Sequence, residues 1–372
     1  MIDMPKIINN AVNSEKNVWM PIKDSWAEIC ATPDVIRKEL QSQESVIEEI
    51  VADLRKREVR NILLLGSGDS WFASMASCYS FEKYAGLSAV PMQAYEFAVY
   101  GSNIANEESV IVVISSSGRP TTTWDALDRA IDSGAYVIGI SDTFYEGNPF
   151  LERPNKSINP SATKFGMPTQ TTTVTMSLLT KLALVLGKDN SEIDGKMYLE
   201  LMDSLFVIPD QLIELLSNCE DALSSAGEYG SLHRLHTIIG SGPNVGVAYA
   251  ASALLAEGPQ FTGHPLPVEE YHHALRGCTV LSGDPVLLLA PYGKGYQRVV
   301  EACDDLKTLG AYIVAVVNDN ENSIADLADS VVYVPEVDEP MSSLLTLPTV
   351  QMYSLYLASN RIASGYERPL VE

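Results

Sequence analysis

Three consecutive serines, Ser115, Ser116 and Ser117, close an unbroken Val/Ile run and lead through Gly118 and Arg119 into a helical pattern. In an open parallel sheet, ligands sit at the carboxyl ends of strands. A helix start there offers unbonded N–H groups and a dipole that favours an anion. Three hydroxyls add donors, and glycine lets the backbone approach closely. A second turn of this kind, Gly66-Ser67-Gly68-Asp69-Ser70, ends another apolar run, so Ser67 and Ser70 are candidates for the same cradle. Either turn alone fits the ordinary use of Ser and Gly in turns and N-caps; two of them at two strand ends favour binding. The candidate acid–base groups lie later in the chain. Glu257 closes a stretch of small and apolar residues, and Glu269, Glu270, His272 and His273 follow close together. On spacing alone, Glu257 fits a partly buried, paired carboxylate equally well. Glu269 and Glu270 fit a solvated face, and either histidine fits a hydrogen-bonded interior position. Adjacent histidines point apart on a helix and no further ligand pair stands nearby, which argues against a metal at Glu270, His272 and His273.

The elements that must position these groups alternate. An apolar strand is predicted over residues 60–65 before the first Gly-Ser-Gly turn, and a helix over 71–84 after it. Strands over 89–93, 109–114 and 136–141 follow, with helices over 122–133 and 171–186. A helical connection is expected over 189–221. The plan then begins again: a strand over 236–239, the turn Gly240-Ser241-Gly242-Pro243, a helix over 245–256, strands over 286–290, 311–317 and 331–334, and helices over 295–309 and 344–364. Before the first strand, apolar residues at helical spacing predict a helix over 34–53. Strands alternating with helices imply an α/β fold with two doubly wound parallel sheets. The expected division is a helical segment 1–50, a first domain 51–190, a connection 191–225, a second domain 226–360 and a tail 361–372.

The 372 residues carry a formal charge of −23 and 46% hydrophobic residues, as suits folded cores. Such a surface repels nucleic acid and anionic membranes, so neither is an expected partner. It also repels an anionic ligand at long range, which is why a local cradle of N–H groups and hydroxyls matters. No apolar run approaches the ~20 residues of a membrane span. The start of the chain shows no export pattern. Five scattered cysteines (Cys30, Cys78, Cys219, Cys278, Cys303) read as reduced thiols, so a cytoplasmic location is expected. Neither Gly-Ser-Gly turn completes Gly-x-Gly-x-x-Gly, because the sixth positions are Trp71 and Val245, and no P-loop pattern is present. No nucleotide cofactor, and no other cofactor, is expected.

These motifs resemble the double-SIS (sugar isomerase) family. Residues 62–70, 110–118 and 136–142 resemble the first SIS domain of the isomerase half of glucosamine-6-phosphate synthase, and Glu96-Phe97 stands at that family's Glu-Phe pair. Residues 238–257 resemble the start of its second SIS domain. The resemblance implies a sugar phosphate held by Ser70, Ser115, Ser116 and Ser117, with Thr169 lining the sugar site. It implies Glu257 as the carboxylate that moves a proton between C1 and C2, and His273, sixteen residues further on, as the ring-opening acid/base. The chemistry fits the residue types. A carboxylate can carry a proton between neighbouring carbons through an enediol if burial raises its pKa, and imidazole titrates in the range that ring opening needs. The resemblance further implies a homodimer or higher homo-oligomer with shared active sites.

The departures matter. The Lys close before the family's catalytic glutamate is Leu254 here, and the family's C-terminal lysine is absent from residues 366–372. The phosphate loop departs from the family's Glu/Asn-Thr to Arg119-Pro120. Arg119, with Lys164 of Ala162-Thr163-Lys164, is therefore a candidate cation for a different or bulkier anion, since a guanidinium binds oxyanions bidentately. Stand-alone relatives with such changes include fructosamine-6-phosphate deglycases, ketose–aldose isomerases and amino-sugar-phosphate deaminases, so each of these is an expected activity. An isomerase of a sulfonated sugar and a non-catalytic sugar-phosphate sensor are the further alternatives.

Overall fold

The computed structural model describes residues 2–15, 21–101, 104–119, 121–275 and 278–365. Pro120 and the residues from 366 onward, both singled out above, lie outside them. The chain forms two compact units. One, here the serine-turn unit, comprises Asp34–Thr163 and Gln170–Pro209. The other, the carboxylate unit, comprises Met1–Pro33, Lys164–Thr169 and Asp210–Glu372.

The chain opens with helices α1 (Lys6–Val12), α2 (Ile22–Ser42) and α3 (Glu44–Leu54). The single helix expected over 34–53 is thus two helices. The earlier one starts well before Pro33 and runs through it, although a proline removes one helical hydrogen bond. Next come β1 (Asn61–Gly66), α4 (Asp69–Ala85), β2 (Ser88–Gln93), α5 (Ala94–Tyr100), β3 (Ser109–Ile114), α6 (Thr122–Asp132), β4 (Tyr136–Ile140), α7 (Pro149–Glu152), β5 (Lys156–Ile158) and α8 (Gln170–Asp189). The strands form one parallel sheet in the order β2-β1-β3-β4-β5. Alternate residues Leu63, Leu65, Ile111 and Val113 pack with Phe97, Ala126, Leu127 and Phe150. Ile62, Leu64, Val110 and Val112, which face the other way, are also fully buried. A sheet covered on both faces explains why these strands read as unbroken apolar runs.

The second sequence of elements runs α9 (Gly195–Asn218), α10 (Glu220–Gly230), β6 (Leu235–Gly240), α11 (Pro243–Glu257), β7 (Thr262–Pro267) and α12 (Val268–Glu270), which passes into a single π-turn at Tyr271–Leu275. Then come β8 (Pro285–Ala290), α13 (Tyr296–Leu309), β9 (Tyr312–Asn318), β10 (Ser330–Val334) and α14 (Ser343–Ala363). Its sheet has the order β10-β9-β8-β6-β7 and is parallel throughout. Read from β7, this is the connectivity of the first sheet. The fold is therefore α/β with two tandem doubly wound five-stranded sheets, as the sequence predicts.

The duplication extends to backbone angles. Gly68 and Gly242 have φ/ψ of 56/−128 and 55/−130, a region that side chains avoid. A Cβ on Gly66 would lie 2.5 Å from the Ser70 carbonyl carbon, and one on Gly240 would lie 2.4 Å from the Asn244 carbonyl oxygen. Both strand-to-helix turns thus need glycine at the same two places. β2 and β7 are edge strands, and both contain proline: Pro91 in the first, Pro265 and Pro267 in the second. Proline is tolerated there because an edge leaves N–H groups without a ladder partner. Among the described residues no helix is long and apolar enough to cross a membrane. No group of three His, Cys, Asp or Glu among them is placed to hold a metal ion.

Candidate active site

In the serine-turn unit β1 pairs with β2 on one side and β3 on the other, with Leu65 opposite Val113. The strand order reverses between β1 and β3, which makes the crevice at their carboxyl ends the topological switch point. The two serine turns flank it. Ser67 and Ser70 follow β1; Ser115, Ser116 and Ser117 follow β3. The second turn is held rigidly by its backbone. Ser115 N–H donates to Ile140 O at 2.9 Å, and the Ser116 carbonyl accepts from Asp142 N–H and Thr143 N–H at 3.1 and 3.2 Å. The Gly118 carbonyl accepts from Trp124 Nε1 at 3.1 Å and Tyr145 Oη at 2.6 Å. Gly118 takes a positive φ of 62°, and a Cβ there would meet Asn148 at 2.6 Å.

Several hydroxyls are left over. Ser67 Oγ accepts from Gln93 Nε2 at 3.2 Å, and Ser117 Oγ accepts from Arg119 N–H at 3.3 Å. The hydroxyls of Ser70, Ser115 and Ser116, all in half-buried residues, make no protein hydrogen bond among the described residues. Arg119 is exposed at the end of the turn. A fixed backbone with half-buried hydroxyls open to a ligand is an arrangement that can receive an oxyanion.

The second sheet has the same switch point, between β6 and β8, but its groups are engaged internally. Asn244, in the place of Ser70, donates to Ser342 Oγ at 2.9 Å and accepts from Thr346 Oγ1 at 2.6 Å. The Glu339 carboxylate accepts from Lys294 N–H at 2.9 Å and would stand 2.3 Å from a Cβ on Gly293. This unit fills its own crevice with a carboxylate. It offers chemistry elsewhere.

Glu257 is the last residue of α11, a helix whose buried positions are mainly Gly, Ala, Val and Leu. Small residues let it pack closely on β7 and α14. Ser354 Oγ, on α14, donates to the Leu254 carbonyl at 2.9 Å, and Gly258 N–H closes the last turn on the same carbonyl at 2.8 Å. The Glu257 side chain reaches the surface. Even so, burial of its surroundings pushes its carboxyl above the ordinary range, and the Lys164 ammonium opposes that rise. A carboxyl raised by desolvation is poised for proton transfer.

The other candidates divide between the units. Thr169 is fully buried in the carboxylate unit, where its carbonyl accepts from Gln351 Nε2 at 3.0 Å. Lys164 belongs to that unit too, and its ammonium acts on the Glu257 carboxyl. The two adjacent histidines on the π-turn part company. His272 turns inward, with Nε2 at 3.0 Å from Arg298 O and Nδ1 at 3.7 Å from Asp305, whereas His273 is exposed. Glu269 is bound by Arg298 at 2.7 Å, which holds its carboxyl below the ordinary range and unsuits it as a base. Spacing had missed Ser25 and Glu28, which hold the chain next to Lys164. Their only signal was their place in an amphipathic helix.

No protein-family model matches the chain. It is 23% identical over 339 residues to a glutamine–fructose-6-phosphate aminotransferase (isomerizing) of Bacteroides thetaiotaomicron, covering 89% of this chain and 55% of that protein. The chain thus spans about half the length of this curated relative. Among solved structures, the C-terminal domain of glucosamine-fructose-6-phosphate aminotransferase from Francisella tularensis superposes with a TM-score of 0.81 at 15% identity, over 94% of this chain and 98% of that one. Tagatose-6-phosphate ketose/aldose isomerase from Escherichia coli superposes with a TM-score of 0.71 at 13% identity, over 90% and 92%. In sequence and fold the chain resembles the double-SIS half of the fructose-6-phosphate aminotransferases.

Proposed function

We propose that the chain is a sugar-phosphate-processing enzyme that moves a proton between C1 and C2 of a ring-opened sugar 6-phosphate, as a fructosamine-6-phosphate deglycase or an aldose–ketose isomerase. The observation that carries this reading is the pair of serine turns at the first switch point, rigid in backbone and open in hydroxyl, in a chain whose second switch point is filled by Glu339. On this reading the phosphate is taken by Ser67, Ser70, Ser115, Ser116 and Ser117, with Arg119 as an added cation and Thr169 lining the sugar. Glu257 removes the proton from the carbon next to the carbonyl and returns it to the neighbouring carbon, so the charge that develops is held as an enediol or enolamine. His273, exposed on its own chain, opens the ring in the site of a neighbouring subunit of a homodimer. In a deglycase, hydrolysis of the resulting imine releases the amine and a hexose phosphate.

The test is exchange of solvent deuterium into C1 or C2 of glucose or fructose 6-phosphate, read by NMR. Wild type should exchange and Glu257→Gln should not, while Ser116→Ala should raise KM with kcat little changed. Exchange that survives Glu257→Gln removes that carboxylate from the chemistry. Release of glucose 6-phosphate from fructosamine 6-phosphates separates a deglycase from an isomerase.

A further inference from the structure

Residues Lys164–Thr169 lie between β5 and α8 in sequence, yet they are built into the carboxylate unit. Several bonds pin them there. The Glu28 side chain, 4% exposed, accepts from Phe165 N–H at 2.7 Å and Gly166 N–H at 3.2 Å. Ser25 Oγ accepts from Met167 N–H at 2.9 Å. A Cβ on Gly166 would stand 2.1 Å from that same hydroxyl oxygen, so glycine is needed for the approach. Met167 Sδ reaches the end of α11: it would touch a Cβ on Gly258 at 2.8 Å, and Ser354 Oγ lies 3.6 Å from it while bonding the Leu254 carbonyl. Gln351 Nε2 holds Thr169 O at the far end. The segment is therefore fixed against the last turn of α11, where Glu257 stands, by a buried carboxylate and three polar side chains.

We propose that this pinned segment is a positioning device for Glu257, with Lys164 as its counter-charge. The inference rests on the reading of Glu257 as the proton carrier. Several other ionisable groups on the elements packed against α11 have partners of their own. His236 on β6 is stacked on Phe261, and the Arg361 guanidinium of α14 donates to Pro259 O and Gln260 O. Glu339 takes Lys294 N–H, and Tyr353 on α14 lies against His236. His264 lies on β7, while Tyr249 shares α11 and Tyr356 shares α14. Lys164 is the charged group whose field acts on the Glu257 carboxyl, in the direction that keeps it ionised. Burial and this cation oppose each other. Burial prevails, so the carboxyl lies above its ordinary range, and the cation limits the rise.

The sign follows. Removing the cation leaves burial unopposed, so Glu257 should ionise at higher pH and the acidic limb of the exchange rate should move alkaline. For Lys164→Met and Lys164→Gln we expect a roughly three- to tenfold loss of deuterium exchange at the acid end of the profile, fading toward alkaline pH. Lys164→Arg should restore the wild-type limb. Lys164 is exposed, so these variants should fold, and their thermal transitions check that. An acidic limb that stays in place in both Lys164→Met and Lys164→Gln, with Glu257→Gln inactive, overturns this role for Lys164 and leaves the proton-carrier reading standing. Persistent exchange in Glu257→Gln overturns both.

Discussion

Gly66→Ala is a sharp test of how the fold holds its anion site. The added Cβ would lie 2.5 Å from Ser70 C, 2.6 Å from Ser70 Cβ and 2.7 Å from Trp71 N. These are backbone and Cβ atoms at the start of α4, so no flexible side-chain end can swing away. Relief to ordinary contact needs a displacement of roughly 1 Å between β1 and α4. Overpacking of this kind costs about 1–3 kcal/mol, and each kcal/mol lowers the melting temperature of a unit this size by about 2–4 °C. The same displacement moves Ser70, and a 1 Å misplacement of a positioning group can cost up to ~10²-fold. The twin substitution Gly240→Ala is the control, because its Cβ would lie 2.4 Å from Asn244 O in the unit whose crevice is already filled. Thermal unfolding should show both variants less stable. Titration with inorganic phosphate should show weakened binding in Gly66→Ala alone. A Gly66→Ala protein with wild-type melting and wild-type phosphate affinity would refute the close-approach argument. Equal loss of phosphate binding in both variants would refute the assignment of the anion to the first switch point.

Two further predictions concern stability against pH. His236 is buried between Phe261 and Tyr353, and desolvation holds its pKa down to about 4, against partial help from the His233 carbonyl. A neutral imidazole of this kind stabilises fully above the ordinary histidine range. That contribution drains away as pH falls toward about 4, an effect of about 3 kcal/mol. Urea unfolding of His236→Gln should accordingly show a flatter loss between pH 7 and pH 4 than wild type, and parallel profiles would contradict it. Glu321 is 2% exposed. Burial raises its carboxyl, but bonds from the Tyr296 hydroxyl and from the N–H groups of Ile324 and Ala325 outweigh this and hold it below the ordinary range. Its contribution is therefore present above the ordinary glutamate range and lost as pH falls through the lowered value. Glu321→Gln should cost roughly 2–4 kcal/mol at pH 7, with the gap from wild type closing in acid; a gap unchanged at pH 3 would contradict the bonding described.

The sheets were legible because their strands are buried on both faces. Residues 109–114 are wholly buried, as are Pro285–Ala290 in the second sheet. The Gly-Ser-Gly turns were legible because two positions in each admit no side chain. Three things were hidden. β7 reads Thr-Gly-His-Pro-Leu-Pro and was passed over, since prolines argue against a strand unless it is known to be an edge. β5 has three residues, too few for any periodicity to register. The allegiance of Lys164–Thr169 was invisible, because it depends on Glu28 and Ser25, more than a hundred residues away in sequence. Spacing also could not separate His272 from His273. Neighbouring positions on a helical turn point about 100° apart, so which one turned inward was set by Arg298 and Asp305 on α13. The candidate serines can be proposed from their residue types and positions, whereas the pull of Lys164 on the Glu257 carboxyl leaves no mark in the sequence.

The prolines in β2 and β7 have a consequence for how copies of this chain meet. A naked sheet margin is a template on which a foreign strand can zip, and two such margins in one acidic chain would invite filaments at high concentration. Pro265 and Pro267 are two residues apart and so aim in one direction, where an incoming strand would find two donors missing. Pro91 withdraws a donor from the other sheet. Self-association along these two margins is thereby disfavoured, and the margins left able to pair are those of β5 and β10, which carry no proline.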